Sequence, residues 1–203
     1  MIVQVAFSRV DELPPTSPLL ARREAFFGRA DESMPFRAGD VFVVYVHARS
    51  KIGDWYFIDP IQSVGTPYPC PYHQDFFTVL DPTPSRFWES WDGETGIDGS
   101  GFVQSFPEWR RPGFYERLLD EKEPEQSEFV RRKRDMDREF PNPWRLKAAT
   151  DFGFPWVQCP DCDEAWRTDR VAGIVDCPKC GKHWNNPHYS TRRPDNAVSP
   201  DSP

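Results

Sequence analysis

The chain has 203 residues, of which 15% are aromatic and 28% are charged, and its formal net charge is −7. This length suits one medium domain with a small appended module, and the excess of acid disfavours nucleic acid or anionic membranes as partners unless a local basic patch exists. No apolar run reaches the roughly 18 residues that span a bilayer, and the N-terminus lacks the basic start of a secretory signal, so the sequence predicts a cytoplasmic protein.

Strands are predicted wherever short apolar or alternating runs lie between turn residues. The predicted strands are 2–7, 41–48, 55–59, 76–80 and 101–106. The run at 41–48 is apolar on both faces, which is typical of a central strand. These segments favour one antiparallel sheet.

Helices are predicted to be few and mostly short. A Ser-Pro start and Gly28 frame a helix over 18–27, and Ser85 is expected to cap a second one at 86–91. Further helices are expected at 114–119 and from about Pro124 onwards. The last of these should bury the side chains of Phe129, Met136 and Phe140.

The elements predict three segments of different character. Residues 1–150 are expected to form an aromatic-rich α+β domain, mainly an antiparallel sheet with short helices. Residues 151–188 should form a separate module, with a hinge at 151–153. The polar residues 189–203 are expected to be a disordered tail.

Four cysteines form the clearest chemical pattern in the chain. Cys159 and Cys162 are separated by two residues, as are Cys177 and Cys180, and 14 residues lie between the pairs. Each Cys-x2-Cys pair offers two thiolates to one metal ion, and two such pairs complete a tetrahedron. Gly181 follows the second pair at a position that often requires a positive φ.

This pattern resembles the zinc-ribbon family over residues 154–188. The resemblance implies a β-structured module with one structural Zn²⁺ per chain, held by Cys159, Cys162, Cys177 and Cys180, with no open position for a water. A rubredoxin-type iron site shares the knuckle at 177–181, but the spacer looks short for that family and Asp163 replaces its first glycine.

Large apolar side chains in this module are predicted to form its core, because a unit of this size needs the metal and a few large rings together. The expected core residues are Trp156, Trp166, Ile174 and Trp184. The alternative is that exposed tryptophans form a platform for stacking nucleic-acid bases.

Two weaker patterns lie outside the module. Cys70 and His73 have the spacing of half a metal site, and Asp75 follows them. The favoured interpretation is a Pro-rich loop with an incidental Cys and His, because a partner pair of ligands is missing and a Cys–His nucleophile pair would need unusual geometry there. The basic run 131–134 is interpreted as the solvated, salt-bridged face of a helix, and contact with phosphates is the alternative.

No catalytic residue is assigned, because no known catalytic motif is present. The sequence favours a non-catalytic zinc-binding protein that acts as a protein-interaction or regulatory module, of which a bacterial immunity protein would be one form. One alternative is an enzyme with a site near Cys70, His73 and Asp75 or near His47. The other is a nucleic-acid-binding accessory factor that uses the zinc ribbon.

Overall fold

The computed structural model describes residues 1–22, 34–60, 68–94, 97, 99–140 and 147–189. Over these residues the chain is α+β, with antiparallel sheets and two α-helices, which confirms the predicted fold class. The chain divides into two compact units, Met1–Met136 and Asp137–Pro203. Independent folding of residues 1–150 stays a prediction, and residues 190–203 of the predicted tail lie outside the described residues.

The first unit contains eight described strands in two antiparallel sheets, where the sequence favoured one. In chain order these are β1 (Ile2–Val5), β2 (Val41–Val43), β3 (Val46–Ser50), β4 (Gly53–Ile58), β5 (Cys70–His73), β6 (Phe77–Asp81), β7 (Glu89–Glu94) and β8 (Ser100–Ser105). The larger sheet has the order β5-β4-β3-β8-β7, and the smaller sheet has the order β2-β1-β6.

The apolar run predicted as one strand at 41–48 is two strands that belong to different sheets. The backbone N–H of Val44 donates to the carbonyl of Met1 (3.1 Å), whereas that of Tyr45 donates to Phe57 (2.9 Å). Both residues are buried, so the apolar run continues through the point where one strand ends and the next begins. The sequence pattern therefore gives no sign of that boundary. The prediction of a single strand was therefore wrong.

Two segments that were not expected to be strands pair along the edges of the larger sheet. Residues 86–91 were predicted as a helix, but only a turn forms at Ser85, and β7 then pairs with β8 from Glu89 to Glu94. Residues 70–73 were expected to be a loop and instead form β5. Pro71 is tolerated there because an edge strand needs fewer backbone donors.

Two helices cover apolar residues of the first unit, α1 (Phe114–Leu119) and α2 (Glu125–Glu139). Phe129 and Met136 on α2 are fully buried, and Phe140 is 1% exposed, which confirms the predicted buried side. Of the helix predicted at 18–27, only Leu20–Arg22 forms a described element, a 3-10 turn, and residues 23–33 lie outside the described residues.

The second unit contains two small antiparallel arrangements of strands. Strands β10 (Trp156–Gln158) and β11 (Ala165–Arg167) pair with each other, and β9 (Thr150–Asp151) pairs with β10. Strands β12 (Ile174–Asp176) and β13 (His183–Asn185) form a hairpin. Among the described residues, no helix combines the length and the apolar character that crossing a membrane requires.

Candidate metal centre

The four predicted cysteines come together in the second unit. Their Sγ atoms all lie within 4.8 Å of one another. The Sγ atoms of Cys159 and Cys180 are 3.7 Å apart, and those of Cys162 and Cys177 are 3.5 Å apart. These distances exclude disulfide bonds, whose sulfur atoms lie about 2.05 Å apart. The cluster is close enough to bind one metal ion.

The sulfur spacing fits a tetrahedral metal site. With a metal–sulfur bond of about 2.3 Å, the edge of a regular tetrahedron is about 3.8 Å. The Sγ–Sγ distances of 3.5 and 3.7 Å are close to this edge length. Four sulfur donors also suit a soft or borderline metal ion better than Mg²⁺ or Ca²⁺, which take oxygen ligands.

The two Cys-x2-Cys turns have the same backbone geometry. Cys159 N–H donates to the carbonyl of Glu164 (2.8 Å), as Cys177 N–H does to Lys182 (2.9 Å). In return, the residue four positions after each cysteine donates to that cysteine's carbonyl: Asp163 over 3.1 Å and Gly181 over 2.9 Å. Each turn therefore points both of its thiols to the same side.

That fourth residue has left-handed backbone angles in both turns. Gly181 has φ +70°, which confirms the expectation from the sequence, and Asp163 has φ +60°. Glycine adopts this region freely, whereas aspartate tolerates it at some cost because its side chain is short and polar. Asp163 therefore occupies the glycine position of the first turn.

Backbone N–H groups favour ionisation of the Cys177 thiol. Burial disfavours the Cys177 thiolate, but the N–H groups of Cys180 and Lys179 outweigh this effect and lower its pKa to about 7. The N–H of Glu164 favours ionisation of Cys162, yet burial and the neighbouring thiols raise the pKa of Cys162 to about 12. Binding of a metal by all four sulfurs would therefore displace protons.

A small apolar core lies beside the cysteines. It contains Val157, Val175 and Trp184, each at most 7% exposed, and Trp166 packs against it in part. The prediction that Trp156 and Ile174 belong to this core was wrong, because Trp156 is 47% exposed and Ile174 is half-buried and outside the cluster. Val157 is the residue of β10 that points inward, so its neighbour Trp156 points outward.

Asn186 is a structural residue of this unit that the sequence pattern did not reveal. Its side chain is buried, and its Nδ2 donates to the carbonyls of Asp169 and Ala172, each over 2.8 Å. These bonds connect the end of β13 to the turn between β11 and β12. A lone asparagine carries no spacing signal, so only the folded structure shows this role.

The residues of the alternative site near Cys70 are separated by the strand that carries them. Successive side chains of β5 alternate between its two faces, so Cys70 shares a face with Tyr72 and His73 points the other way. Burial raises the pKa of Cys70 despite a hydrogen bond with Tyr72. A raised pKa disfavours the thiolate that a nucleophile needs.

His73 and Asp75 do lie together, but both contact structural groups. His73 is fully buried, and its Nε2 donates to the carbonyl of Ile52 (2.9 Å). Its Nδ1 accepts the backbone N–H of Asp75 (3.3 Å), and the hydroxyl of Ser17 donates to the Asp75 carboxylate. These contacts tie the 3-10 turn at Gln74–Phe76 to neighbouring segments.

His47 lies on the larger sheet, away from β5, between two oxygen atoms. Its Nδ1 is 3.1 Å from Oε1 of Gln104, and its Nε2 is 3.0 Å from Oδ2 of Asp54. Burial disfavours ionisation of Asp54, but hydrogen bonds from Arg49 and His47 outweigh it and lower the pKa of Asp54. The arrangement is a cross-strand polar network.

Three of the four basic residues at 131–134 pair with acids, which agrees with the interpretation as a salt-bridged helix, whereas Arg134 is exposed. Arg132 Nε lies 2.9 Å from Oε2 of Glu108, and Arg131 contacts Glu108 and Glu128. Lys133 Nζ lies 3.7 Å from Asp59 and 2.8 Å from the Tyr45 hydroxyl.

Comparisons of the chain with protein-family profiles, with curated proteins and with solved structures found no match. The chemistry of the site therefore rests on its own residues. Four sulfur atoms on two matched turns, backed by a small apolar core, define a candidate metal centre in the second unit.

Proposed function

We propose that the cysteine cluster holds one structural Zn²⁺ in a zinc-ribbon module over residues 154–188. The observation that supports this most is the convergence of four Sγ atoms within 4.8 Å on two turns of equal geometry. Four protein sulfurs fill a tetrahedral coordination sphere, so no position is left for a water or a substrate. The ion then supplies folding free energy and no chemistry.

The protein as a whole is a non-catalytic, cytoplasmic zinc protein that acts by binding another protein, in an interaction or regulatory role. Two features favour this function over an enzyme. The metal has no open coordination position. The side chains of His73 and Asp75 bind the Ile52 carbonyl and the Ser17 hydroxyl, which hold the fold together. The pairing of Arg131 and Arg132 with acids also reduces the positive charge that α2 offers to phosphate.

One purification tests both parts of this proposal. The tagged full-length chain is recovered from its source cells without added metal, and metals and co-purifying proteins are quantified. We expect one zinc per chain and one stoichiometric protein partner. The Cys70→Ser variant should keep the zinc, since Cys70 lies outside the cluster, whereas Cys159→Ser should lose it.

The two parts of the proposal fail separately. Iron with rubredoxin-like visible absorption, or absence of bound metal, would exclude the zinc site. A preparation with one zinc per chain that retains nucleic acid and no protein would instead support the accessory-factor alternative. A zinc-loaded chain without any partner would leave the metal assignment intact and refute the interaction role.

A further inference from the structure

Three large apolar side chains are exposed on the turn that joins β9 to β10 and on the first residue of β10. Phe152 is 61% exposed, Phe154 is 51% exposed and Trp156 is 47% exposed. We refer to these three residues as the aromatic tip. Single exposed apolar residues are ordinary on protein surfaces, whereas several large ones within five residues of chain suggest a binding surface.

The aromatic tip is held in place by its own backbone. Trp156 N–H donates to the carbonyl of Gly153 (2.8 Å), and Phe152 N–H donates to the carbonyl of Trp156 (3.2 Å). The carboxylate of Asp151 accepts the N–H of Gly153 (2.7 Å), whose φ of +85° suits a glycine. A backbone that is already fixed loses less conformational entropy on binding, which favours a docking role.

Two exposed arginines, Arg167 and Arg170, flank the aromatic tip. The guanidinium of Arg170 lies 4.3 Å from the ring centroid of Phe154, and Arg167 is the cross-strand neighbour of Trp156. Both arginines are exposed, and within the described part of the chain neither has a carboxylate oxygen within 4.0 Å. The surface therefore combines apolar area with exposed positive charge.

We propose that the aromatic tip, with Arg167 and Arg170, docks into an apolar cleft of a partner protein whose rim carries carboxylates. This proposal rests on the proposed function and adds to it the binding surface and the chemistry of the partner. Tryptophan and arginine are the residues that most often dominate the binding energy of protein interfaces. The two exposed guanidinium groups favour negative charge on the partner, next to the pocket that receives the rings.

A protein is favoured over single-stranded nucleic acid by the charge of the surrounding unit. Asp137–Pro203 contains ten acidic and nine basic residues, and the whole chain has a net charge of −7. Nucleic-acid binding draws most of its affinity from several phosphate contacts, whereas this surface offers two guanidinium groups. Stacking alone would then have to carry the affinity.

The experiment uses a photo-crosslinker in the full-length, zinc-loaded chain in its source cells. Phe152→p-benzoylphenylalanine keeps an aromatic ring at the most exposed position. The matched control carries the same group at Val130, which is 45% exposed on α2. We expect a protein adduct from position 152 that is absent from position 130.

The adduct alone does not decide the matter, so the captured protein is purified and its affinity is measured. Trp156→Ala should weaken binding at least 10-fold, whereas Trp156→Phe should keep most of the affinity. Val130→Ala should change the affinity less than twofold. R167E/R170E should weaken binding and abolish its dependence on salt. One zinc per chain in every variant confirms that the module remains folded.

Three outcomes would overturn the proposal. An adduct with nucleic acid, or with a second copy of this chain, would assign the aromatic tip to a different occupant. A partner whose affinity is unchanged by Trp156→Ala would show that it binds elsewhere, which leaves the proposed function standing. Absence of both an adduct and a co-purifying protein would refute the surface and the proposed function together.

Discussion

Gly181 and Asp163 occupy the same place in the two cysteine turns and make a matched pair for substitution. An ideal Cβ on Gly181 would meet no atom within 4 Å, so only the backbone angle opposes a side chain there. A non-glycine residue in this region costs about 1–2 kcal/mol. Gly181→Ala should weaken zinc retention by about 5–30-fold, because folding and metal binding are coupled in so small a unit.

Asp163→Gly tests the same argument in the opposite direction. It removes the cost of a left-handed aspartate, so zinc should be retained as well as in the unmodified chain or better. Competition with a chromogenic chelator measures both variants on one scale. Equal retention in Gly181→Ala and Asp163→Gly would contradict the assigned turn geometry.

The spacing of the cysteines predicted that they form one site, but it did not predict the environment of single side chains. Two Cys-x2-Cys pairs carry their own geometry, so the convergence of Cys159 and Cys177 on one site follows from sequence. Whether Trp156 points inward depends on the register of β10, and a shift of one residue exchanges its two faces. The wrong prediction for Trp156 has this cause.

Among the strands and helices, pairing with distant parts of the chain determined the secondary structure wherever local patterns predicted it wrongly. Residues 86–91 carry a helix-like start at Ser85, but β7 gains a full ladder of bonds with β8. Strand preference depends on such neighbours more than on the residues themselves. By contrast, α2 was predicted well, because Phe129, Met136 and Phe140 repeat at helical spacing over a long segment.

The contact between the 3-10 turn Pro107–Arg110 and α2 leads to a prediction on stability. Burial opposes ionisation of Glu108, but hydrogen bonds from Arg132 dominate and lower the pKa of Glu108 to about 2, from 4.5. The ionised form is therefore favoured by folding. Its contribution is full above about pH 4.5 and is lost as the pH falls towards 2.

Glu108→Gln should therefore destabilise the first unit near neutral pH by about 1.5–3 kcal/mol, the usual contribution of a hydrogen bond to a charged group. Hydrogen exchange of α2 amides measures this loss. The difference from the unmodified chain should shrink between about pH 4.5 and 2. The control, Glu89→Gln, removes an exposed carboxylate from β7. Equal exchange in the two variants at neutral pH would show that the ion pair does not stabilise α2.

At the scale of the whole molecule, the two units differ in what holds them together. The first buries many aromatic rings, with Phe106 in contact with Trp109, Phe114 and Phe129. The second has a core of a few residues beside four cysteines. Ordering one residue costs about 1–2 kcal/mol of backbone entropy, which so small a core does not offset without a metal.

Cys177→Ser should unfold the second unit and leave the first one intact. A serine hydroxyl does not ionise near neutral pH, so the site loses one of its four thiolates. Zinc binding then contributes much less than the ~10 kcal/mol that a structural zinc ion typically adds to folding. Limited proteolysis with mass spectrometry should then find cleavage after α2, which ends at Glu139, and a stable N-terminal fragment. Cys70→Ser, which removes a thiol outside the cluster, should resist cleavage like the unmodified chain. Zinc retained in Cys177→Ser would mean that the ligands are wrongly assigned, whereas degradation of the whole chain would mean that the units do not fold independently.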